Sequence, residues 1–143
     1  MNPIYTAEVT SVGGRNGHVK SSDDVLSLDL VAPPALGGTP GKTGTNPEQL
    51  FAAGYAACFT GAMQYTAHQQ KIDPGEITIH SAVGIGPNDK GEGFTVSVKM
   101  DITAAKLDQA AAEKLVADAH KVCPYSNATR GNIDVSLTAH GGS

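Results

Sequence analysis

Apolar and polar positions change period several times along this chain of 143 residues, and each change predicts an element. Leu26, Leu28 and Leu30 alternate with Ser27 and Asp29, the period-two pattern of a strand with one face inward. Upstream, the segment from Ile4 reads as short strands broken at Gly13-Gly14-Arg15-Asn16-Gly17, a run dense in residues that tolerate positive φ. Pro33-Pro34 ends this region, and a loop rich in Gly, Thr and Pro runs to about Thr45. There the alternation vanishes. Leu50 to Met63 is apolar or small on every side, which predicts a buried helix rather than a surface one. Asn46 can cap it, Pro47 suits the first helical position, and Glu48 complements the helix dipole. Gly54, Ala57, Cys58 and Gly61 are small enough for another backbone to approach. Polarity returns at Gln64 and in His68-Gln69-Gln70-Lys71, and Pro74-Gly75 is the stop.

Period two then resumes. Ile77, Ile79, Ser81, Val83 and Ile85 share one face; after the turn at Pro87-Asn88-Asp89-Lys90-Gly91, so do Phe94, Val96, Val98, Met100 and Ile102. This predicts a hairpin with one face on a core. A second helix over about Leu107 to Val122 keeps Ala112, Leu115, Val116, Ala119, Val122 and Cys123 on one stripe. Pro124 ends it, and Ile133, Val135 and Leu137 mark a last strand. No linker or repeat divides the chain. The expectation is a single α+β domain over residues 1–143, a mostly antiparallel sheet packed with two helices, the first buried and central.

Composition adds a partner to this picture. With no Trp, three Phe and four Tyr, the core relies on small side chains that bury little area each, so a second subunit is expected to complete it. Ten basic and fourteen acidic residues give a net charge of −4 without any basic cluster, which argues against nucleic acid. No window approaches the ~18 apolar residues of a membrane span. The first residues show neither a basic nor an apolar leader segment, so the expected compartment is the reducing cytoplasm. In that compartment two cysteines do not make a structural disulfide framework. The sequon Asn127-Ala128-Thr129 then has no glycosylation to accept.

The cysteines are therefore the candidate chemistry, though each also reads as a small core residue. Cys123 falls at a helix C-terminus, where the negative end of the dipole disfavours an anion. It suits a thiol that attacks second. Cys58 lies about three turns inside its helix, so a reactive thiolate there needs a cation from elsewhere. Only Arg15 and Arg130 carry guanidinium groups. Arg15 also reads as a solvated turn residue, and Glu48 as a first-turn acid. His120 and Cys123 have metal-ligand spacing that His68, His80 or Cys58 could complete, but neither C-x-x-C nor H-E-x-x-H occurs. Gly84-Ile85-Gly86 precedes a proline rather than a helix, which excludes a dinucleotide loop. No metal or other cofactor is expected.

Three segments together carry a more specific signal. The stretch Asn46-Pro47-Glu48-Gln49-Leu50-Phe51-Ala52-Ala53-Gly54-Tyr55-Ala56-Ala57-Cys58-Phe59 resembles the catalytic helix of the organic hydroperoxide resistance proteins. Val122-Cys123-Pro124-Tyr125-Ser126-Asn127-Ala128-Thr129-Arg130-Gly131-Asn132-Ile133 is similar to their second cysteine segment, and Gly13-Gly14-Arg15-Asn16-Gly17 to their arginine turn. The broader osmotically inducible relatives share the fold but lack the Cys-Pro-Tyr-Ser run. The resemblance implies an intertwined homodimer that reduces alkyl and lipid hydroperoxides to alcohols. It implies Cys58 as the peroxidatic and Cys123 as the resolving cysteine, joined through a sulfenic acid and an intramolecular disulfide. Arg15 would contact thiolate and peroxide, Glu48 would hold Arg15, and a lipoylated protein or another dithiol would recycle the disulfide. An unbroken helix puts Glu48 and Cys58 about 15 Å apart, so Arg15 and Glu48 are expected to serve the partner subunit's cysteine. Phe51, Tyr55, Phe94 and Tyr125 are the expected walls of an apolar substrate channel. A general hydroperoxidase of the osmotically inducible type, and a non-catalytic binding domain with core cysteines, are the alternatives.

Overall fold

The computed structural model describes residues 1–143, in two compact units, Met1–Leu50 and Phe51–Ser143. In the first, strands β1 (Val9–Val12), β2 (His18–Ser21) and β3 (Ser27–Asp29) form an antiparallel sheet in that order. The leucine alternation delivers only three residues of strand, with Leu30 buried and Leu28 exposed. Cross-strand side chains lock the register: His18 Nδ1 lies 2.7 Å from Asp29 Oδ1, its β-partner, and His18 Nε2 lies 2.9 Å from Ser27 Oγ. Only Val19, Leu30 and Ala32 are buried in this unit, so hydrogen bonds do much of the holding.

Helix α1 (Pro47–Gln69) begins in the first unit and continues as the centre of the second. Asn46 caps it as expected, its Oδ1 accepting from Gln49 N at 2.8 Å. One face of α1 is buried through Tyr55, Phe59, Met63 and Ala67, whereas Ala53, Ala57 and Gly61 on the other face are exposed. The helix expected to be buried all round is thus half covered within one chain. At Gly54 the close neighbour is the side chain of Tyr125 and not a backbone: an added Cβ would meet its hydroxyl at 3.0 Å.

In the second unit β4 (Ile77–Pro87) and β5 (Phe94–Ala104) form the expected antiparallel hairpin, paired from Ile77↔Ala104 to Pro87↔Phe94. The third strand, β6 (Val135–Gly141), starts two residues later than its apolar pattern suggests and runs parallel to β5. A parallel neighbour needs a crossover, and helices α2 (Gln109–Val122) and α3 (Pro124–Thr129) supply it. The fold is therefore α+β and mostly antiparallel, but with two three-stranded sheets and three α-helices rather than one sheet and two helices. The third helix exists because Pro124, read as a stop, is also a favoured first helical residue. Helix α2 starts at Gln109, where Asp108 accepts from Ala111 N at 2.8 Å, and Val122 turns out of its core stripe into solvent. The core joins α1, α2 and the inward faces of β4 and β5 around Phe59, Met63, Met100, Ile102 and Leu115. No helix is long and apolar enough to cross a membrane.

Candidate active site

Two side-chain pairs are assembled across long stretches of sequence, one in each unit. The first is Arg15 with Glu48. Arg15 occupies a 3₁₀ turn, Gly14–Asn16, between β1 and β2. Gly13 and Gly14 take φ of 82° and 62°, a region L side chains rarely adopt. At Gly17 a Cβ would lie 1.8 Å from the carbonyl oxygen of Val12. The turn is tied to the chain beyond β3, because Leu30 N donates to Gly17 O at 2.8 Å and Ala32 N to Asn16 Oδ1 at 3.1 Å. The start of α1 is tied to the same segment, since Val31 N donates to Thr45 O and Thr45 N to Asp29 O, both at 2.9 Å. Turn and helix start thus meet on one strand end. Arg15 Nη1 and Nη2 each donate to one Glu48 oxygen at 2.8 Å, a bidentate pair. The Arg15 hydrogen bond holds the Glu48 carboxyl below its ordinary range, and the same bond raises Arg15.

The second pair is Cys58 with Cys123. Both thiols are free, and the Cys123 S–H points at Cys58 Sγ across 3.8 Å. Cys58 projects half-buried from the third turn of α1; Cys123 is fully buried. Cys123 is not simply the end of a helix. Its N–H donates to Ala119 O, closing α2, while its own carbonyl accepts from Asn127 N, opening α3. Cys123 thus caps two helices at once, and the negative end of the α2 dipole is offset there by the start of α3. Pro124 has no N–H, so the first free donor of α3 is the Tyr125 N–H, close enough to Cys58 to favour its anion. Burial pushes the Cys58 thiol up; the Tyr125 N–H opposes that, and the nearby Cys123 adds to the rise.

Phe51, Tyr55 and Tyr125 form one aromatic cluster, with ring centroids 6.1 Å apart for Phe51–Tyr55 and 5.6 Å for Tyr55–Tyr125. Phe94, the fourth expected wall, opens β5 opposite Pro87 and is 74% exposed. Sequence reasoning missed the polar groups that link α1 to α2 and α3. Tyr55 OH lies 2.8 Å from Ser126 Oγ and 3.2 Å from Thr129 Oγ1, and His120 Nδ1 lies 2.8 Å from the same Ser126 Oγ. Polar residues at 126 and 129, one helical turn apart after a Cys-Pro, were the available signal. Nowhere are three His, Cys, Asp or Glu side chains grouped to hold a metal ion.

A family model for OsmC-like proteins matches residues 39–138. The organic hydroperoxide resistance protein of Xanthomonas axonopodis pv. citri is 55% identical over 136 residues, 94% of each chain. The chain belongs to the organic hydroperoxide resistance proteins of the OsmC-like family. Solved structures of the family agree over nearly the whole chain. The OhrB protein of Bacillus subtilis has a TM-score of 0.87 at 47% identity, covering 95% of this chain and 98% of its own. The organic hydroperoxide resistance protein of Elizabethkingia anophelis reaches 0.91 at 45% identity, covering 99% of both. Both cysteines and Glu48 fall inside the matched family region, while Arg15 lies upstream of it.

Proposed function

We propose that this protein is a thiol-dependent peroxidase that reduces alkyl and lipid hydroperoxides to alcohols. The observation that carries the reading is the contact of two free thiols, 65 residues apart in sequence, at 3.8 Å. The Cys58 thiolate attacks the outer peroxide oxygen; the O–O bond breaks, the alkoxide leaves and takes a proton, and Cys58 becomes a sulfenic acid. Cys123 then attacks that sulfur and expels the hydroxyl as water, leaving an intramolecular disulfide. From 3.8 Å the sulfurs need to close by about 1.8 Å to reach bonding distance. A dithiol reductant, such as a lipoylated protein, restores both thiols.

Burial alone disfavours the Cys58 thiolate, so the reaction needs positive charge brought to it. Arg15 is the proposed source. A guanidinium has five N–H donors, and Glu48 engages the two terminal nitrogens through one each, which leaves about three for a thiolate and a peroxide oxygen. We assign Arg15 and Glu48 to the cysteine of a second subunit in an intertwined homodimer. The exposed Ala53, Ala57 and Gly61 face of α1 supports a second copy, which would complete the burial its sequence calls for. Phe51, Tyr55, Phe94 and Tyr125 are the proposed walls for the alkyl chain, and the cytoplasm the proposed compartment.

The test is to mix reduced protein with cumene hydroperoxide and count peroxide consumed and thiols lost. Wild type should consume one equivalent and lose both thiols. Cys123→Ser should consume about one equivalent in reaching the sulfenic acid, and a second only as that acid goes beyond to sulfinic acid, and Cys58→Ser should consume none. A Cys58→Ser protein with the first-turnover rate of wild type would sink the reading. So would wild-type thiols that ignore the peroxide until the chain unfolds, as core cysteines of a binding domain would.

A further inference from the structure

An unbroken chain of polar groups links the helices that carry the two thiols. Thr129 Oγ1, Tyr55 OH, Ser126 Oγ and His120 Nδ1 follow one another at 3.2, 2.8 and 2.8 Å. Tyr55 and Ser126 are fully buried and Thr129 nearly so. Each hydroxyl has one proton to give, and a neutral His120 completes the chain in either sense. Protons run from Thr129 through Tyr55 and Ser126 to a bare Nδ1, or from an Nδ1–H through Ser126 and Tyr55 to Thr129, whose own hydroxyl then donates to Ser126 O at 3.4 Å. Burial, and secondarily the charge of Arg130, hold His120 below its ordinary range, which favours the neutral ring.

The placement of these groups around the sulfurs gives the chain a purpose. Tyr55 stands three residues before Cys58 on α1, His120 three before Cys123 on α2, and Ser126 three after it on α3. The hydroxyl chain therefore joins the helix of one thiol to both helices that meet at the other. Arg130 adds an outer tie, with Nη1 on Asn127 Oδ1 at 2.9 Å and Nη2 on the carbonyl of His120. A Cys58 sulfenic acid has two fates. Attack by Cys123 forms the S–S bond, breaks the S–O bond and releases water. Attack on a second hydroperoxide instead takes an oxygen from it, giving a sulfinic acid and an alcohol, and that step is irreversible without a dedicated repair enzyme.

We propose that Ser126 and His120, with the hydroxyl of Tyr55, are positioning residues for the second step: they clamp the Cys123–Thr129 segment onto α1 so that Cys123 captures the sulfenic acid before another peroxide does. This rests on the peroxidase reading. Ser126 and His120 touch no reacting atom in it, so their loss moves the partition between fates and not the first attack. Misplacement by about 1 Å costs an intramolecular step roughly ten- to a hundredfold.

Quenched-flow mass spectrometry of reduced protein against excess cumene hydroperoxide separates thiol, sulfenic, disulfide and sulfinic forms. Ser126→Ala should oxidise Cys58 within about twofold of the wild-type rate, close the disulfide at least tenfold more slowly, and accumulate sulfinic acid that wild type does not. Ser126→Thr, which keeps the hydroxyl, should restore closure. Should Ser126→Ala not fold, His120→Leu removes the last partner in the chain and carries the same expectation. Wild-type closure and wild-type sulfinic yield in a folded Ser126→Ala or His120→Leu protein would overturn the clamp, and so would equal slowing of both steps. Wild type inert to the peroxide would defeat the peroxidase reading itself, and the clamp with it.

Discussion

The Cys58–Cys123 and Arg15–Glu48 pairs are held by different physics. Cys58 and Cys123 belong to a unit whose buried cluster numbers fifteen residues, and Cys123 is itself one of them. Arg15 and Glu48 belong to a unit with three buried side chains, where turn geometry and hydrogen bonds replace packing. The Arg15 side chain is 38% exposed and that of Glu48 14%. A densely packed core resists displacement, whereas a guanidinium on a glycine-rich turn keeps its place only while its carboxylate does. The thiol pair is thus a fixed element, and the arginine an adjustable one with Glu48 as its anchor.

The largest expected effect tests that anchor. Arg15→Ala removes a preorganised donor and should slow Cys58 oxidation about 10²- to 10³-fold. Glu48→Gln should slow it by roughly tenfold through a mobile Arg15, since the carboxamide loses the charge that fixes the fork. The double variant should be no slower than Arg15→Ala alone, because without Arg15 there is nothing for Glu48 to hold. Additive losses in stopped-flow measurement would mean that Glu48 acts on its own. Mixed dimers of Arg15→Ala and Cys58→Ser chains test the composite site. A shared site leaves one of the two centres intact and activity near half of wild type, whereas complete inactivity would show that each Arg15 serves its own chain.

Gly17→Ala attacks the same pair through the backbone alone. Its Cβ would stand 1.8 Å from Val12 O, which no side-chain rotation relieves, so the turn must open. Cys58 oxidation should fall by about tenfold or more, approaching Arg15→Ala, while stability falls by roughly 1–3 kcal/mol. Disulfide closure, once the sulfenic acid exists, should keep its wild-type rate. Slower closure in Gly17→Ala would break the contrast between the two regions.

What the sequence disclosed divides along the same line. Helix α1, its Asn46 cap and the β4–β5 hairpin were legible because each rests on local pattern and the structure keeps it. The parallel pairing of β6 was not legible, since strand direction depends on the crossover and leaves no mark on an alternation of Ile133, Val135 and Leu137. Val122 satisfied helical spacing and still faces solvent, because it lies on the flank of a stripe whose centre runs from Ala119 to the buried Cys123. Pro124 both stops α2 and opens α3, and a pattern that marks the stop leaves the third helix unmarked. The individual site residues stood out only through their resemblance to a known family; nothing in periodicity distinguishes Cys58 from its alanine neighbours. The buried Tyr55–Ser126–His120 chain was invisible because hydroxyls separated by 71 residues meet only in the fold.

The smallest expected effect comes from a polar clamp on the well-packed unit, where removing charge should cost little. Asp118 on α2 accepts from Lys114 Nζ at 2.7 Å and from Gln70 Nε2, just past the end of α1, at 2.8 Å. The Lys114 hydrogen bond, followed by that of Gln70, lowers its carboxyl to about 2. A depressed carboxylate stabilises the fold above its ordinary range near ~3.9 and loses that contribution as pH falls through the lowered value. Asp118→Asn keeps an oxygen for Gln70 and loses the charge that Lys114 and Lys121 share. Surface pairs of this kind are worth about 0.2–1 kcal/mol and are screened by salt, so urea unfolding at pH 7 should show a loss in that range. The difference from wild type should shrink from pH 4 towards pH 2, where Asp118 is about half protonated. Cys58 oxidation and disulfide closure should not change. A loss beyond about 2 kcal/mol, or a change in either rate, would mean that this edge of α2 transmits to Cys123, and that the thiol pair is less independently fixed than its core suggests.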